Sequence, residues 1–198
     1  MLGGAAPGSF TRLDGSDEVF EAFYAPLRDL VRERRFDGLD LDVEEEMSLA
    51  GMMRLIDRLK GDFGAGFLVT LAPVATALLG LPHLSGFDYE ALEVMRGGSI
   101  ECYHTQFYNN WGELGQYHAI LERGWRAEKV VVGVLTNPGN GQGWVGFEEL
   151  KRAVVGLREW YPGFGGVMGW EYFNSVAGEE GRPWEWAEGL GECVKGAE

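Results

Sequence analysis

Asp37-Gly38-Leu39-Asp40-Leu41-Asp42-Val43-Glu44 sets three carboxylates, Asp40, Asp42 and Glu44, at alternate positions of a segment that otherwise reads as a buried strand. Alternate residues of a strand share one face, so Leu41 and Val43 occupy the opposite one. Three acids on one face are unfavourable as a purely structural device. Like charges a few ångströms apart resist ionising together, so at least one pKa must rise. A strand that keeps such an array usually uses it for acid chemistry. The bland alternative is an acidic strand end on a solvated face.

Outward from this strand, short apolar runs alternate with amphipathic stretches. A helix over about 16–33 precedes it, with Val19, Phe20, Phe23, Leu27, Leu30 and Val31 on one side. Residues 1–4 read as the tail of an earlier strand ending in Gly3-Gly4. A helix over 48–61 follows, with Ser48 as N-cap and Met52, Leu55, Ile56 and Leu59 inward. The pattern then predicts strands at 67–71, 100–108, 129–135 and 165–170, with helices at 88–95, 114–123, 148–160 and 184–194. Such alternation argues for a parallel sheet with helices outside. About six strand–helix units can be counted, against the eight and roughly 250 residues of a closed barrel. No linker or repeat divides the chain, so residues 1–198 read as one domain.

Composition narrows the function classes. A net charge of −14 over 198 residues argues against nucleic acid, whose phosphates need basic patches. It also disfavours anionic membrane surfaces, and no run of roughly 18 apolar residues suggests a transmembrane helix. Cys102 and Cys193 do not make a disulfide framework. No Cys/His cluster has metal-ligand spacing, so no metal site is expected. The 7 Trp, 7 Tyr and 11 Phe fit a surface that stacks on sugar rings, and fit core packing equally well.

In the strand near 100–108, Cys102, His104, Gln106 and Tyr108 share a face. If that face lines a barrel, Gln106 and Tyr108 lie at the C-terminal rim, where barrel active sites form. His104 lies deeper and reads as a hydrogen-bonded interior residue rather than an acid or base. His83 and His118 fall in loop or helix and receive no role.

DGLDLDVE resembles the D-G-x-D-x-D-x-E signature of glycoside hydrolase family 18, the chitinases and endo-β-N-acetylglucosaminidases, at every fixed position. GGAAPGSF, LAPVATAL, LSGFDY, TQFYNN, GGVMGWEYFNS and PWEWA extend the resemblance over nearly the whole chain and look most like the fungal endo-β-N-acetylglucosaminidases. The resemblance implies an α/β fold, a (β/α)8 TIM barrel. In the family the acidic motif ends the fourth strand and a Gly-Gly ends the third, so this barrel is expected to be incomplete, lacking about the first two βα units. Two open strand edges would follow, and with them low stability or self-association. Met1 departs from the serine of the family's S-x-G-G motif, and a missing N-terminus would also have removed any signal peptide. The family points to an extracellular location.

The resemblance also implies roles. Glu44 becomes the general acid, its pKa raised by a neighbouring carboxylate. Asp42 holds the substrate acetamide N–H, and Asp40 tunes Asp42. Tyr108 holds the acetamide oxygen, with Gln106 and Asn109 as sugar contacts. Trp170 floors the sugar subsite beside Glu171. Ala72 and Gly4 leave room beside the acids. Trp111 and Trp144 are outer-subsite candidates. The implied reaction is retaining, substrate-assisted cleavage of GlcNAc-β1,4-GlcNAc, with the chitobiose core of high-mannose N-glycans as substrate. A chitinase, a non-catalytic glycan-binding relative and an inactive fragment are the alternatives.

Overall fold

The computed structural model describes residues 1–178 and 181–196. In chain order its elements are β1 (Leu2–Gly3), α1 (Phe10–Leu13), α2 (Asp17–Arg34), β2 (Gly38–Asp42), α3 (Leu49–Phe63), β3 (Leu68–Leu71) and α4 (Ala75–Leu78). There follow α5 (Tyr89–Arg96), β4 (Tyr103–Gln106), α6 (Tyr117–Glu122), β5 (Val130–Leu135), α7 (Phe147–Trp160), β6 (Val167–Trp170) and α8 (Pro183–Lys195). The six strands are parallel, as the alternating pattern predicts. Each predicted strand and helix is present, with ends shifted by a few residues. The strand predicted over 100–108 is shorter, Tyr103–Gln106.

The chain forms two compact units. The first comprises Met1–Pro73 and Gly80–Tyr103, the second Val74–Leu79 and His104–Glu198.

In the first unit β2 lies between β1 and β3. Leu2 and Gly3 pair with Leu41 and Asp42, while Gly38 to Leu41 pair with Leu68 to Leu71. Leu39, Leu41 and Val43 are buried, as are Met52, Leu55, Ile56 and Leu59 of α3. The α3 N-terminus is closed by Ser48, whose Oγ accepts the Gly51 N–H at 3.0 Å. In α2 the expected inward set is partly wrong. Phe20, Tyr24 and Val31 are buried, whereas Val19, Phe23 and Leu30 stand exposed. The buried line steps by four and seven residues, a narrower stripe than the sequence suggested. It is fixed by contact with α3. Phe20 and Tyr24 stack at 5.1 Å, the Arg54 guanidinium lies 4.3 Å over Phe20, and Tyr24 donates to Asp62 at 2.8 Å.

In the second unit every residue of β5 is buried, and β5 pairs with β6 from Val132↔Val167 to Leu135↔Trp170. Val74 bridges Gln106, and the Phe107 N–H donates to the Gly133 carbonyl at 2.9 Å. Trp125 fixes α4 by donating its indole N–H to the Leu78 carbonyl at 2.9 Å. Leu150, Val154 and Leu157 are the buried face of α7, which packs on α8. Among the described residues no helix is long and apolar enough to cross a membrane.

Candidate active site

The acids stand at the C-terminal end of β2 and just beyond it. Asp40 and Asp42 share a face of the strand, opposite the buried Leu39, Leu41 and Val43. Asp42 is only 5% exposed, and Asp40 and Glu44 are half-buried. Asp40 sits opposite Thr70 in register and accepts the Thr70 hydroxyl at 2.7 Å. A buried carboxylate needs such donors, because removing it from water is otherwise costly.

Gly4 and Ala72 lie at the end of β2 that carries the acids. Gly4 donates its N–H to the Asp42 carbonyl at 2.9 Å, and a Cβ added there would lie 3.5 Å from Asp42 Oδ2. The preceding Gly3 is more constrained. With φ +94°, a Cβ would fall 2.2 Å from the Asp42 carbonyl oxygen, so only glycine lets β1 pass this close. Ala72, 3% exposed, donates its N–H to the Leu41 carbonyl at 3.0 Å, bringing its methyl to the same end of β2.

Two groups in this unit were not singled out by the sequence reading. Glu45, next to the candidate acid, turns back onto the segment after β1. Its carboxylate accepts the N–H groups of Gly8 at 2.8 Å and Phe10 at 2.6 Å and the Thr11 hydroxyl at 2.6 Å. Burial opposes its charge, but the Thr11 hydroxyl and the Gly8, Phe10 and Thr11 amides outweigh that and hold its pKa below the ordinary carboxyl value. The second group is Ser85 with Tyr89. The Ser85 hydroxyl donates to the Val43 carbonyl at 2.7 Å and lies 3.0 Å from the Tyr89 hydroxyl. Both side chains are buried. Glu45 lies just past the acidic strand signature, and Ser85 and Tyr89 lie within LSGFDY, where nothing in the spacing marked them.

The second unit holds the remaining candidates. Gln106 and Tyr108 are 5% and 6% exposed. Asn109, with φ +55°, exchanges bonds with the 141–143 loop: its N–H donates to the Gln142 carbonyl and its Oδ1 accepts the Gln142 N–H, both at 2.9 Å. Its carboxamide oxygen is therefore engaged in shaping that loop. Trp111 is half-buried, with its N–H on the Tyr108 carbonyl at 3.1 Å, while Trp144 is exposed.

Trp170, 38% exposed, ends β6, and the peptide to Glu171 is cis. Its carbonyl accepts the Thr136 N–H at 3.0 Å and the Asn140 Nδ2 at 2.8 Å. Thr136 also donates its hydroxyl to the Glu171 carbonyl at 2.8 Å. Asn140 and Asn174 exchange two amide bonds, and Asn137 donates to the Asn174 carbonyl at 2.9 Å. These residues, also absent from the sequence reading, fix Trp170 through its backbone. Among the described residues no cluster of three or more His, Cys, Asp or Glu could hold a metal ion.

No family model matches the chain. Solved structures do. The chain is similar to a chitinase, ChiC, from Aspergillus fumigatus, at 56% identity and TM-score 0.87, over 96% of this chain and 69% of that one. It is similar to a fungal endo-β-N-acetylglucosaminidase of glycosyl hydrolase family 18, at 47% identity and TM-score 0.92, over 98% of this chain and 70% of that one. Chitinase 2 from Rhizopus oligosporus is 28% identical over 148 residues, 68% of this chain but only 25% of that protein's length. The acidic strand end, the parallel α/β order and these likenesses agree. The chain belongs to glycoside hydrolase family 18, and its six parallel strands correspond to about 70% of a family barrel chain.

Proposed function

We propose that the chain hydrolyses GlcNAc-β1,4-GlcNAc with retention, as an endo-β-N-acetylglucosaminidase on the chitobiose core of high-mannose N-glycans. The observation that supports this most is the arrangement at the end of β2. A buried Asp42 stands on one face with a Thr70-bonded Asp40, and Glu44 follows, half-buried. The strings shared with fungal endoglycosidases and the 47% identity to one of them support the substrate.

The chemistry balances without a cofactor. Glu44 gives its proton to the oxygen of the departing sugar as the C1–O bond breaks. The acetamido oxygen of the substrate bonds to C1 from the other face, forming an oxazolinium-like ring. Asp42 accepts the acetamido N–H and stabilises the positive charge that develops on that group. Asp40, carrying the Thr70 hydrogen bond, tunes Asp42. Water then attacks C1, Glu44 takes the proton back and the acetamide re-forms. In the second unit, Tyr108 holds the acetamido oxygen, Gln106 and Asn109 contact the sugar, and Trp170 with Glu171 forms its floor. Holding an internal nucleophile in line contributes through proximity.

A chitinase is the second reading, and the 56% identity to an Aspergillus chitinase favours it. The bond cleaved is the same, so only the substrate's outer sugars discriminate. Mass spectrometry of a high-mannose glycoprotein and of soluble chitin oligomers after incubation with the chain separates the two. Retention of a single GlcNAc on the glycoprotein establishes the first reading, and cleavage of the oligomers alone establishes the second. Glu44→Gln, run alongside, should lower either rate by about 10²- to 10⁴-fold while glycan binding persists. A near wild-type rate in that variant removes Glu44 as the acid.

A further inference from the structure

Glu44 lies in the connection between β2 and α3, outside any strand or helix, yet a general acid must be held to a fraction of an ångström. The two backbone groups that bracket it both end on Ser85. The Ser85 hydroxyl donates to the Val43 carbonyl at 2.7 Å, and the Ser85 carbonyl accepts the Met47 N–H at 3.0 Å. One residue thus ties down both ends of the segment that carries Glu44, Glu45 and Glu46. The next residue, Gly86, has φ +77°, and a Cβ there would come 3.2 Å from Glu46 Cα, so the two backbones run side by side.

Ser85 is itself fixed. It is 2% exposed, and its N–H donates to His83 Nδ1 at 3.2 Å. Its hydroxyl spends its proton on Val43, so the Tyr89 hydroxyl 3.0 Å away is the donor to Ser85 Oγ. Tyr89 is packed by Phe87 at 4.6 Å, His83 at 5.8 Å and Tyr103 at 6.3 Å. Burial above all, with the charges of Asp42 and Asp40, pushes the Tyr89 pKa up against the opposing Ser85 bond, so the phenol stays protonated. The donor order Tyr89 to Ser85 to Val43 is therefore fixed.

We propose that Ser85 is a positioning residue for the acid Glu44, setting its reach to the departing oxygen through the backbone on either side of it; this rests on the role proposed for Glu44. Misplacing a catalytic group by about 1 Å can cost roughly 10²-fold in rate, far more than the same shift costs in binding.

The test compares two substrates on one preparation of each variant. One is the GlcNAc-β1,4-GlcNAc oligomer that the chain cleaves in the assay above, a high-mannose glycan or a chitin oligomer, whose leaving alcohol needs a proton. The other carries the same glycone on a strongly acidic phenol, which leaves without one. The ratio of the two rates is independent of how much protein is folded. Ser85→Ala should lower kcat on the oligomer by about tenfold or more with KM within about twofold, and leave the aryl substrate near wild type. Ser85→Thr, which keeps the hydroxyl, should restore the ratio. Equal losses on both substrates, or no loss, overturn the inference and make Ser85 a purely structural residue. Glu44→Gln is the internal control. Should it cleave the oligomer at the wild-type rate, the acid role and this inference fall together. Should it be inactive there while Ser85→Ala keeps the wild-type ratio, the inference falls alone.

Discussion

Trp170 shows what one residue's surroundings can and cannot reveal. Its place at the end of β6 agrees with the strand read over 165–170. The groups that hold its backbone were not legible. Asn140 lies in NPGNGQG, where glycine and asparagine read only as turn residues. Its carboxamide nevertheless donates to the Trp170 carbonyl at 2.8 Å and pairs with Asn174. Asn140→Ala would leave that carbonyl with the Thr136 N–H and break both amide bonds. A loss of about 1 to 2 kcal/mol is expected by urea unfolding, together with weaker binding of GlcNAc oligomers in calorimetry. Asn140→Asp, which loses the N–H donors but keeps the shape, should weaken binding as much as alanine does. In the same way the acids Asp40, Asp42 and Glu44 were legible from their spacing, while Thr70, Ser85 and Glu45, which hold them or their neighbours, come from distant or unpatterned positions.

Elements were legible in proportion to their length. The fifteen residues of α3 carry an apolar period and a Ser48 cap, and both are as the sequence predicts. The four-residue helices α1 and α4 passed unrecognised, since a single turn shows no periodicity. What organises α1 is instead a charge from elsewhere. The Glu45 carboxylate takes the Gly8 and Phe10 amides and the Thr11 hydroxyl, satisfying donors that a helix N-terminus leaves open. Because its folded pKa is depressed, Glu45 binds fewer protons in the native state than in the unfolded one. Its contribution is complete above the unfolded carboxyl pKa and disappears as pH falls through the folded value. Glu45→Gln should therefore lower Tm at about pH 7, and the difference from wild type should shrink towards about pH 3. Thermal melts across that range check this; a difference constant with pH would mean that the carboxylate charge plays no part.

At the scale of the whole chain, strand–helix alternation disclosed the six parallel strands, because buried β-runs and amphipathic helices differ in period. Its behaviour in solution depends on the side chains that the second unit leaves in water. Tyr172 and Phe173 are 61% and 72% exposed, and the turn they occupy packs on α8, whose Trp184 is 52% exposed. Exposed apolar side chains of this kind favour association, while a net charge of −14 opposes it. Salt screens the repulsion within about 8 Å at physiological strength, so sedimentation velocity should show association that grows with both protein and salt concentration. Phe173→Ser with Tyr172→Ser should return the chain towards monomer, whereas association that salt dissolves would point to ion pairs instead. The fold also bears on how the gene can be divided. Because α4 belongs to the second unit while the residues before and after it belong to the first, the polypeptide passes from one to the other three times. No single cut can separate the two units with both intact, because the cut after Tyr103 that keeps the first unit whole leaves α4 on it. A fragment ending at Tyr103 carries Ala75, Ala77 and Leu78 away from Trp125, and its complement begins without them. The half that begins at His104 should recover its native structure only when mixed with the half that carries α4, and a protease that nicks the chain after Tyr103 should leave a product that still sediments as one particle.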